Sequence, residues 1–438
     1  MRVVVIGAGH VGLVTAGALA ALGHSVVAVD EDEERIEGLR NGLCPFFEPG
    51  LEELVKRGMA EGTLHFEEGA GAVAKAEVVF ICVRTPAGAS GDANLASVER
   101  AARTIVRFLN GPVAVVEKST LPAGTADRLR RVLMLARPDL AGHIEVVSNP
   151  EFLREGRAVE DALSPGRILV GARSPRGFET MRRLYEPLIR GGSRLIETDI
   201  ATVEIAKHAC NAFLALKTSY ANALARLCER AGADVTAVVD AMGTDPRIGR
   251  AFLDAGLGYG GSFPKNLQAF ERLAARLGYG FPLLREVARI NDEAVEAAFD
   301  KIKDALWNLE DKRIALLGLS FKPDTDDVRF SPALALARRL LGAGATVVGY
   351  DPMAGADAKS ELPPLELAAS VDEAMRGSHC MVVCTDWDEF RSLDLGRAKE
   401  LLAQPTIVDG CNLFEPSEMK AEGFVYYGTG RASPRGAH

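Results

Sequence analysis

The chain has 438 residues, 47% of them hydrophobic, and a net charge of −9; that length exceeds what one hydrophobic core usually organises and leads us to expect two or three domains. An acidic balance without a basic run excludes nucleic acid or an anionic membrane surface as the main partner, and no apolar stretch approaches the roughly 20 residues of a membrane span. Seven cysteines with no CxxC or HExxH spacing suit a reducing compartment and predict neither a disulfide nor a metal site.

The N-terminus enters a strand at once, which leaves no room for a signal peptide and leads us to expect a cytoplasmic protein. Apolar strands alternating with amphipathic helices predict a parallel sheet covered on both faces, with strands at Arg2 to Ile6, Ser25 to Asp30, Glu77 to Val83, Pro112 to Lys118, Ile144 to Ser148 and Ile168 to Val170. The first unit closes a strand with Gly7-Ala8-Gly9-His10-Val11-Gly12, opens an alanine-rich helix, and ends its next strand at Asp30. A GxGxxG in that setting, followed by a strand-tip acid, is the mark of dinucleotide binding. Gly7 permits the turn, Gly9 admits a pyrophosphate to the backbone, and Gly12 lets helix and strand pack, with the amides at the helix start, Val11 included, facing the phosphates. Asp30 would take the adenosine ribose hydroxyls and repel a 2′-phosphate, so NAD is expected rather than NADP. Arg35 is the one residue that would soften that preference; its plainer reading is a solvated helix residue.

A long helix is expected from about Ile200 to Ala231, with further helices to Leu306. Glu204, Lys207, Asn211, Thr218 and Asn222 recur at spacings of three, four and seven and so share one face. The stripe is either solvated or lines a site, and one lysine flanked by amides favours the site, because exposed faces carry mixed charges. The run GYGGSFPKN, Gly258 to Asn266, is a glycine-rich loop suited to close backbone approach. From residue 312 a second α/β sheet is expected: a strand Lys312 to Leu317, Ser331-Pro332 opening a helix, a strand Thr346 to Asp351, and strands near Cys380 to Cys384 and Thr406 to Val408. The fold class is therefore α/β, with two Rossmann-like, doubly wound parallel-sheet domains (1–199 and 307–438) joined by a central helical region (200–306). The ending GTGRASPRGAH reads as a frayed tail.

Block by block, VVVIGAGHVGLVTA (3–16), FFEPGLEELV (46–55), FICVRTP (80–86), EKSTLPAGT (117–125), NPEFLREGRAVED (149–161), the segment 207–235, DPRIG (245–249), GLSFKPDTDDVRFSP (318–332), GYDP (349–352) and TDWDEF (385–390) resemble, in order, the UDP-glucose/GDP-mannose dehydrogenase family of nucleotide-sugar 6-dehydrogenases. The wording NAFLALKTS is closer to its UDP-glucose members. The resemblance implies that Thr85, Pro86 and Ser119 border the NAD site, and that Thr120 helps hold a catalytic water. It implies that Glu151 assists proton transfer and that Glu155 contacts cofactor or substrate, one of the two carboxylates being raised toward neutrality; Glu151 capping a helix is the plainer alternative. Lys207 and Asn211 would hold the C6 oxygen, the lysine stabilising the alkoxide. Phe152, Leu153, Arg154, Tyr259, Gly260, Gly261, Phe321 and Lys322 fall at substrate positions, with the 258–261 amides reaching the pyrophosphate. Lys265 and Arg329 would contact cofactor or substrate, and Arg247 would reach across a homodimer built on the long helix; each arginine is otherwise a surface ion-pair partner.

The resemblance fails most sharply in the glycine-rich loop, with smaller departures at Ala223, where the family usually has glutamate, and Cys411, where it usually has arginine. The family loop reads GYGGSCFPKD, its cysteine trapping the aldehyde and its aspartate assisting hydrolysis; with the FPK triplets aligned, the loop here is one residue shorter, Ser262 stands at the cysteine position and Asn266 replaces the aspartate. A hydroxyl lies perhaps ~5 pKa units above a thiol, roughly 7 kcal/mol against forming the anion. Three readings follow: a UDP-sugar 6-dehydrogenase whose aldehyde is hydrated by water held by Thr120, Glu151 and Lys207; a hydride-transfer enzyme that releases the aldehyde or epimerises the sugar; and a non-catalytic protein that binds nucleotide sugar or NAD. Retention of the polar set favours the enzyme readings, because unused buried polar groups are costly.

Overall fold

The computed structural model describes residues 1–85, 94–122, 124–140 and 142–432. It divides into two compact units, Met1–Cys210 and Asn211–His438, and the division falls inside one unbroken helix, Ile200–Ala231. Two parallel-sheet domains joined by this long helix are the α/β architecture read from the sequence.

In the first unit, β1 (Arg2–Ile6), β2 (Ser25–Val29), β3 (Leu64–Glu67), β4 (Val78–Ile81), β5 (Val113–Glu117), β6 (Ile144–Ser148), β7 (Arg167–Gly171) and β8 (Arg194–Thr198) form one sheet in the order β3-β2-β1-β4-β5-β6-β7-β8. Central strands such as Val78-Val79-Phe80-Ile81 are buried on both faces, which is why they are apolar without alternation. The expectation of a wholly parallel sheet needs one correction: β6 and β7 meet antiparallel through Ser148 and Gly171. The connection between them holds an extended segment and one six-residue helix, Ala158–Leu163, so the chain turns back at the same edge without a full crossover. The sequence reading also passed over β3 and β8.

In the second unit, β9 (Arg313–Leu317), β10 (Thr346–Tyr350), β11 (Glu366–Leu367), β12 (Cys380–Val383), β13 (Thr406–Asp409) and β14 (Val425–Gly428) form a parallel sheet in the order β11-β10-β9-β12-β13-β14. Ser331 caps the helix Pro332–Gly342, its hydroxyl accepting from Leu334 N–H and donating to Leu319 O at 2.6 Å. The expectation of a frayed ending is corrected for its first residues. Gly430 O accepts from Val235 N (2.9 Å), Gly430 N donates to Glu229 Oε1 (2.8 Å), and the Arg431 guanidinium is buried and donates to Phe414 O (2.7 Å). Small glycines let this segment lie against helices, where the sequence offered only low periodicity.

The Ile200–Ala231 helix starts where Asp199 accepts from Thr202 N–H (2.9 Å), contains neither glycine nor proline, and stops at Gly232, φ +71. Among the described residues no helix is long and apolar enough to cross a membrane.

Candidate active site

The first glycine turn has the shape a dinucleotide needs. Gly7 sits at φ +100, and a Cβ there would lie 2.8 Å from Cys82 O; a Cβ on Gly12 would lie 1.7 Å from Gly7 O. These two glycines are required by the protein itself. Nothing lies within 4 Å of where a Cβ on Gly9 would sit, so that face of the turn is open to a ligand at the start of helix His10–Ala21. Asp30, just past β2, accepts from Ala8 N (2.6 Å) and from the Arg35 guanidinium (3.0 Å). Arg35 also pairs with Asp32 (3.1 Å), so its reading as a solvated helix residue is corrected: it is held between Asp30 and Asp32.

Beyond β5 and β6 lies a second cluster. Asn149, 1% exposed, donates to Leu169 O (2.8 Å) and accepts from Tyr185 OH (2.6 Å) and Lys118 Nζ (3.1 Å), which fixes where Glu151 enters. Glu151 accepts from Leu153 N–H (2.7 Å) and forms an ion pair with Lys207 at 2.9 Å, and both side chains are shielded from solvent. Phe152 lies beneath the pair, its ring 5.0 Å from Lys207 Nζ and 4.1 Å from the Arg167 guanidinium. Burial alone would raise the Glu151 carboxyl, but the Lys207 ammonium and the Leu153 amide outweigh it and hold the group below its ordinary value. The expectation of a carboxylate lifted toward neutrality is therefore corrected for Glu151, because its partner is a cation 2.9 Å away. It also caps no helix, residues 151–154 having no regular secondary structure.

The polar stripe of the long helix is buried, with Glu204, Lys207, Asn211 and Asn222 all under 8% exposed, so the solvated reading falls. Its members have separate duties. Glu204 accepts from Gly124 N (2.7 Å) and Ala126 N (3.3 Å) at the start of helix Thr125–Ala136, and Asn222 accepts from Gly256 N (2.8 Å). Lys207 faces Glu151, with Asn211 one turn further on. Nearby, Ser119 Oγ donates to Val83 O (2.9 Å) and Thr85 Oγ1 to Thr120 O (3.4 Å).

In the second unit, the loop Gly258–Asn266 is gripped by its surroundings. Asn291, on helix Pro282–Leu306, accepts from Tyr259 N (2.7 Å) and donates to Tyr259 O (3.2 Å). Gly261, at φ +61, donates its N–H to Arg329 O (2.8 Å), and a Cβ there would lie 2.7 Å from the Phe321 ring. The expected offer of the 258–261 amides to a pyrophosphate is thus corrected for Tyr259 and Gly261, whose N–H groups serve to shape the loop. Ser262 is exposed; Asn266 is buried in the first turn of helix Phe263–Arg276, its N–H donating to Ser262 O (3.0 Å).

Three family models match in register with this architecture: the NAD binding domain of the UDP-glucose/GDP-mannose dehydrogenase family over residues 1–189, its central domain over 201–293 and its UDP binding domain over 315–416. The chain belongs to this family. It is 40% identical over 444 residues to the UDP-glucose 6-dehydrogenase YwqF of Bacillus subtilis, covering all of both chains, and 43% identical over 437 residues to the UDP-glucose 6-dehydrogenase of Rhizobium meliloti, covering 98% of this chain and 100% of the other. Its fold matches a UDP-glucose dehydrogenase structure from Pyrobaculum islandicum with a TM-score of 0.90 at 36% identity, over 98% of each chain. The first sheet is thus the family's NAD domain, and the open face at Gly9 with Asp30 beside it fits that cofactor.

Within the family frame, the structure brings Glu151, Phe152, Leu153 and Lys207 into one cluster and keeps Asn211 on the same helix. Three expected ligand arginines are held by acids: Arg154 by Asp161 (2.6 Å), Arg247 by Asp245 (2.6 Å) and Arg329 by Asp327, both nitrogens engaged. Glu155, Lys265 and Lys322 are partly buried, and Pro86 lies outside the described residues. Sequence reasoning missed Lys118, whose ammonium is pushed down to about 8 by desolvation; Asn291; and the pair His10 and Glu48. The signal for Lys118 was its place beside Ser119 and Thr120. The second sheet's strand-tip acid is more heavily engaged than Asp30: Asp351 Oδ2 alone accepts from Leu319 N, Ser320 N, Ser320 Oγ and Trp387 Nε1 at 2.7–3.2 Å, which ties the turn after β9 together.

Proposed function

We propose that this protein is an NAD-dependent UDP-sugar 6-dehydrogenase that converts UDP-glucose to UDP-glucuronate. The observation that carries the reading is the shielded Glu151–Lys207 pair, 2.9 Å apart. An ammonium there stabilises the oxyanion that develops on C6, and a carboxylate held ionised accepts a proton from the alcohol or from water. Asn211 would take the second lone pair of the same oxygen. NAD, when bound at the Gly7–Gly12 turn and Asp30, supplies the hydride acceptor. Ser262 is exposed and its loop holds neither histidine nor carboxylate, so we assign the second oxidation to the hydrated aldehyde, with Thr120, Glu151 and Lys207 positioning the water.

Counting NADH per UDP-glucose consumed tests this. Two equivalents with UDP-glucuronate as product is the expected outcome. One equivalent with free aldehyde, or an altered sugar without NADH, would replace it with the aldehyde-releasing or epimerising reading favoured by the missing thiol. Neither NADH nor altered sugar across several nucleotide sugars would leave a binding protein.

We also propose a homodimer through the long helix. Phe213, Tyr220 and Leu227 recur every seven residues and are 61%, 49% and 62% exposed, an apolar seam that a second copy would cover. A cytoplasmic location belongs to the same proposal, since its seven free thiols suit a reducing compartment.

A further inference from the structure

The second variable residue of the glycine fingerprint is a histidine, and its surroundings are specific. His10 opens helix His10–Ala21, where a cation opposes the helix dipole. Its Nε2 lies 2.9 Å from Glu48 Oε2, and the Phe46 ring lies 4.8 Å from its own. The Glu48 side chain is wholly inaccessible, and its other contacts are backbone: Oε2 accepts from Gly156 N (2.8 Å) and Oε1 from Ala158 N (2.7 Å). One carboxylate therefore joins the cofactor turn to the end of the segment that carries Glu151 and Glu155.

We infer that His10 is an ionisable member of the cofactor site, its imidazolium held by Glu48 and adding a positive charge beside the dinucleotide's diphosphate. A shielded carboxylate needs a counter-charge more than it needs a third neutral donor. The diphosphate, bound on the backbone of the same turn, is the second anion that this charge serves. Three acids act on the ring's charge: Glu48 by direct contact from the 44–50 segment, and Glu151 and Glu155 electrostatically from the 151–155 segment. Burial would lower the imidazole, and the three carboxylates, Glu48 foremost, outweigh it and raise it above its ordinary value. The charge is accordingly present below the raised pKa and lost as pH climbs through it. NAD affinity falls over that window, and NAD binding within it takes up protons. Through Glu48 the same protonation state bears on the position of the Gly156 and Ala158 backbone, which makes His10 a positioning residue for the carboxylates as well. This inference rests on the NAD domain alone and stands whether or not the sugar is oxidised.

Calorimetric titration of the full chain with NAD, from pH 6 to 9.5 and in two buffers of different ionisation enthalpy, tests it. The dissociation constant should rise about three- to tenfold across the window, the order expected of one unit charge a few ångströms from an anion when both are screened as in water, with fractional proton uptake at its middle. His10→Gln, which keeps a donor for Glu48, should bind with a flat pH dependence near the parent's high-pH affinity and no proton uptake. Glu48→Gln, a second route should the first variant fold poorly, should move the inflection to lower pH. A flat parent profile, or a profile unchanged in both variants, would overturn the proposal. Loss of thermal stability in the variants with the pH profile retained would reduce His10 to a structural residue and overturn it equally.

Discussion

Removing the Lys207 ammonium should damage stability and activity together, and a second substitution should repair only the first. In Lys207→Met, Glu151 keeps the Leu153 amide but loses the cation 2.9 Å away, in a site where the two side chains are 14% and 6% exposed. Stranding one member of such a pair costs about 3–5 kcal/mol, and the retained amide places the expected loss near ~3. For a unit of this size that is a fall in melting temperature of roughly 6–12 °C. The pH dependence fixes the cause. In the parent, the Glu151 pKa is depressed, so its contribution is present above the unfolded value and lost as pH falls through the folded one. Without the lysine, burial is left to dominate and the folded pKa rises, so the deficit should be largest at neutral pH and shrink on acidification. Lys207→Met/Glu151→Gln, with neither charge buried, should regain at least half of the lost melting temperature. Catalysis should fall about 10²- to 10³-fold in the single variant, the usual effect of deleting one oxyanion donor, and stay low in the double one. Thermal melts at pH 5, 6 and 7.5 beside NADH absorbance assays measure both quantities. A double variant no more stable than Lys207→Met, or a single variant retaining more than a tenth of parental kcat, would refute the reasoning.

Asp30→Ala should weaken NAD binding about tenfold or more and narrow the preference over NADP, measured by fluorescence titration with both cofactors, because it frees the Ala8 amide and Arg35 along with removing the ribose acceptor. Gly261→Ala puts a methyl 2.7 Å from the Phe321 ring at φ +61; KM for UDP-glucose should rise at least about tenfold while NAD affinity in a titration stays within about twofold. Leu227→Glu should halve the mass seen by light scattering if the exposed seam is where two copies meet, and an unchanged mass would move the interface elsewhere.

Much of this was legible because local chemistry and global fold agree. The Gly7–Gly12 turn needs glycine twice for reasons internal to the chain, and Ser331-Pro332 opens a helix by capping alone. The long helix was readable from 32 residues without a breaker. Of the strands that escaped, LHFE in β3 and RLIET in β8 are short and half polar; nothing in four or five such residues separates an edge strand from a loop. The site was legible as a set of residues but not as a set of partners. Lys207 and Asn211 announced themselves as amide and ammonium on one face, yet Glu204 and Asn222 on that face turned out to hold backbone. Arg154, Arg247 and Arg329 looked like ligands, and each has an acid that lies two or seven residues away. Glu48 stands 108 residues from the Gly156 amide it receives, a pairing that only the folded sheet creates.

Lys207 and Asn211 lie four residues apart on the unbroken helix Ile200–Ala231, about 6 Å along a single rod. That interval is set by peptide geometry alone. In the proposed reaction, an oxygen grasped by both side chains would sit in a calliper whose jaws share one stem.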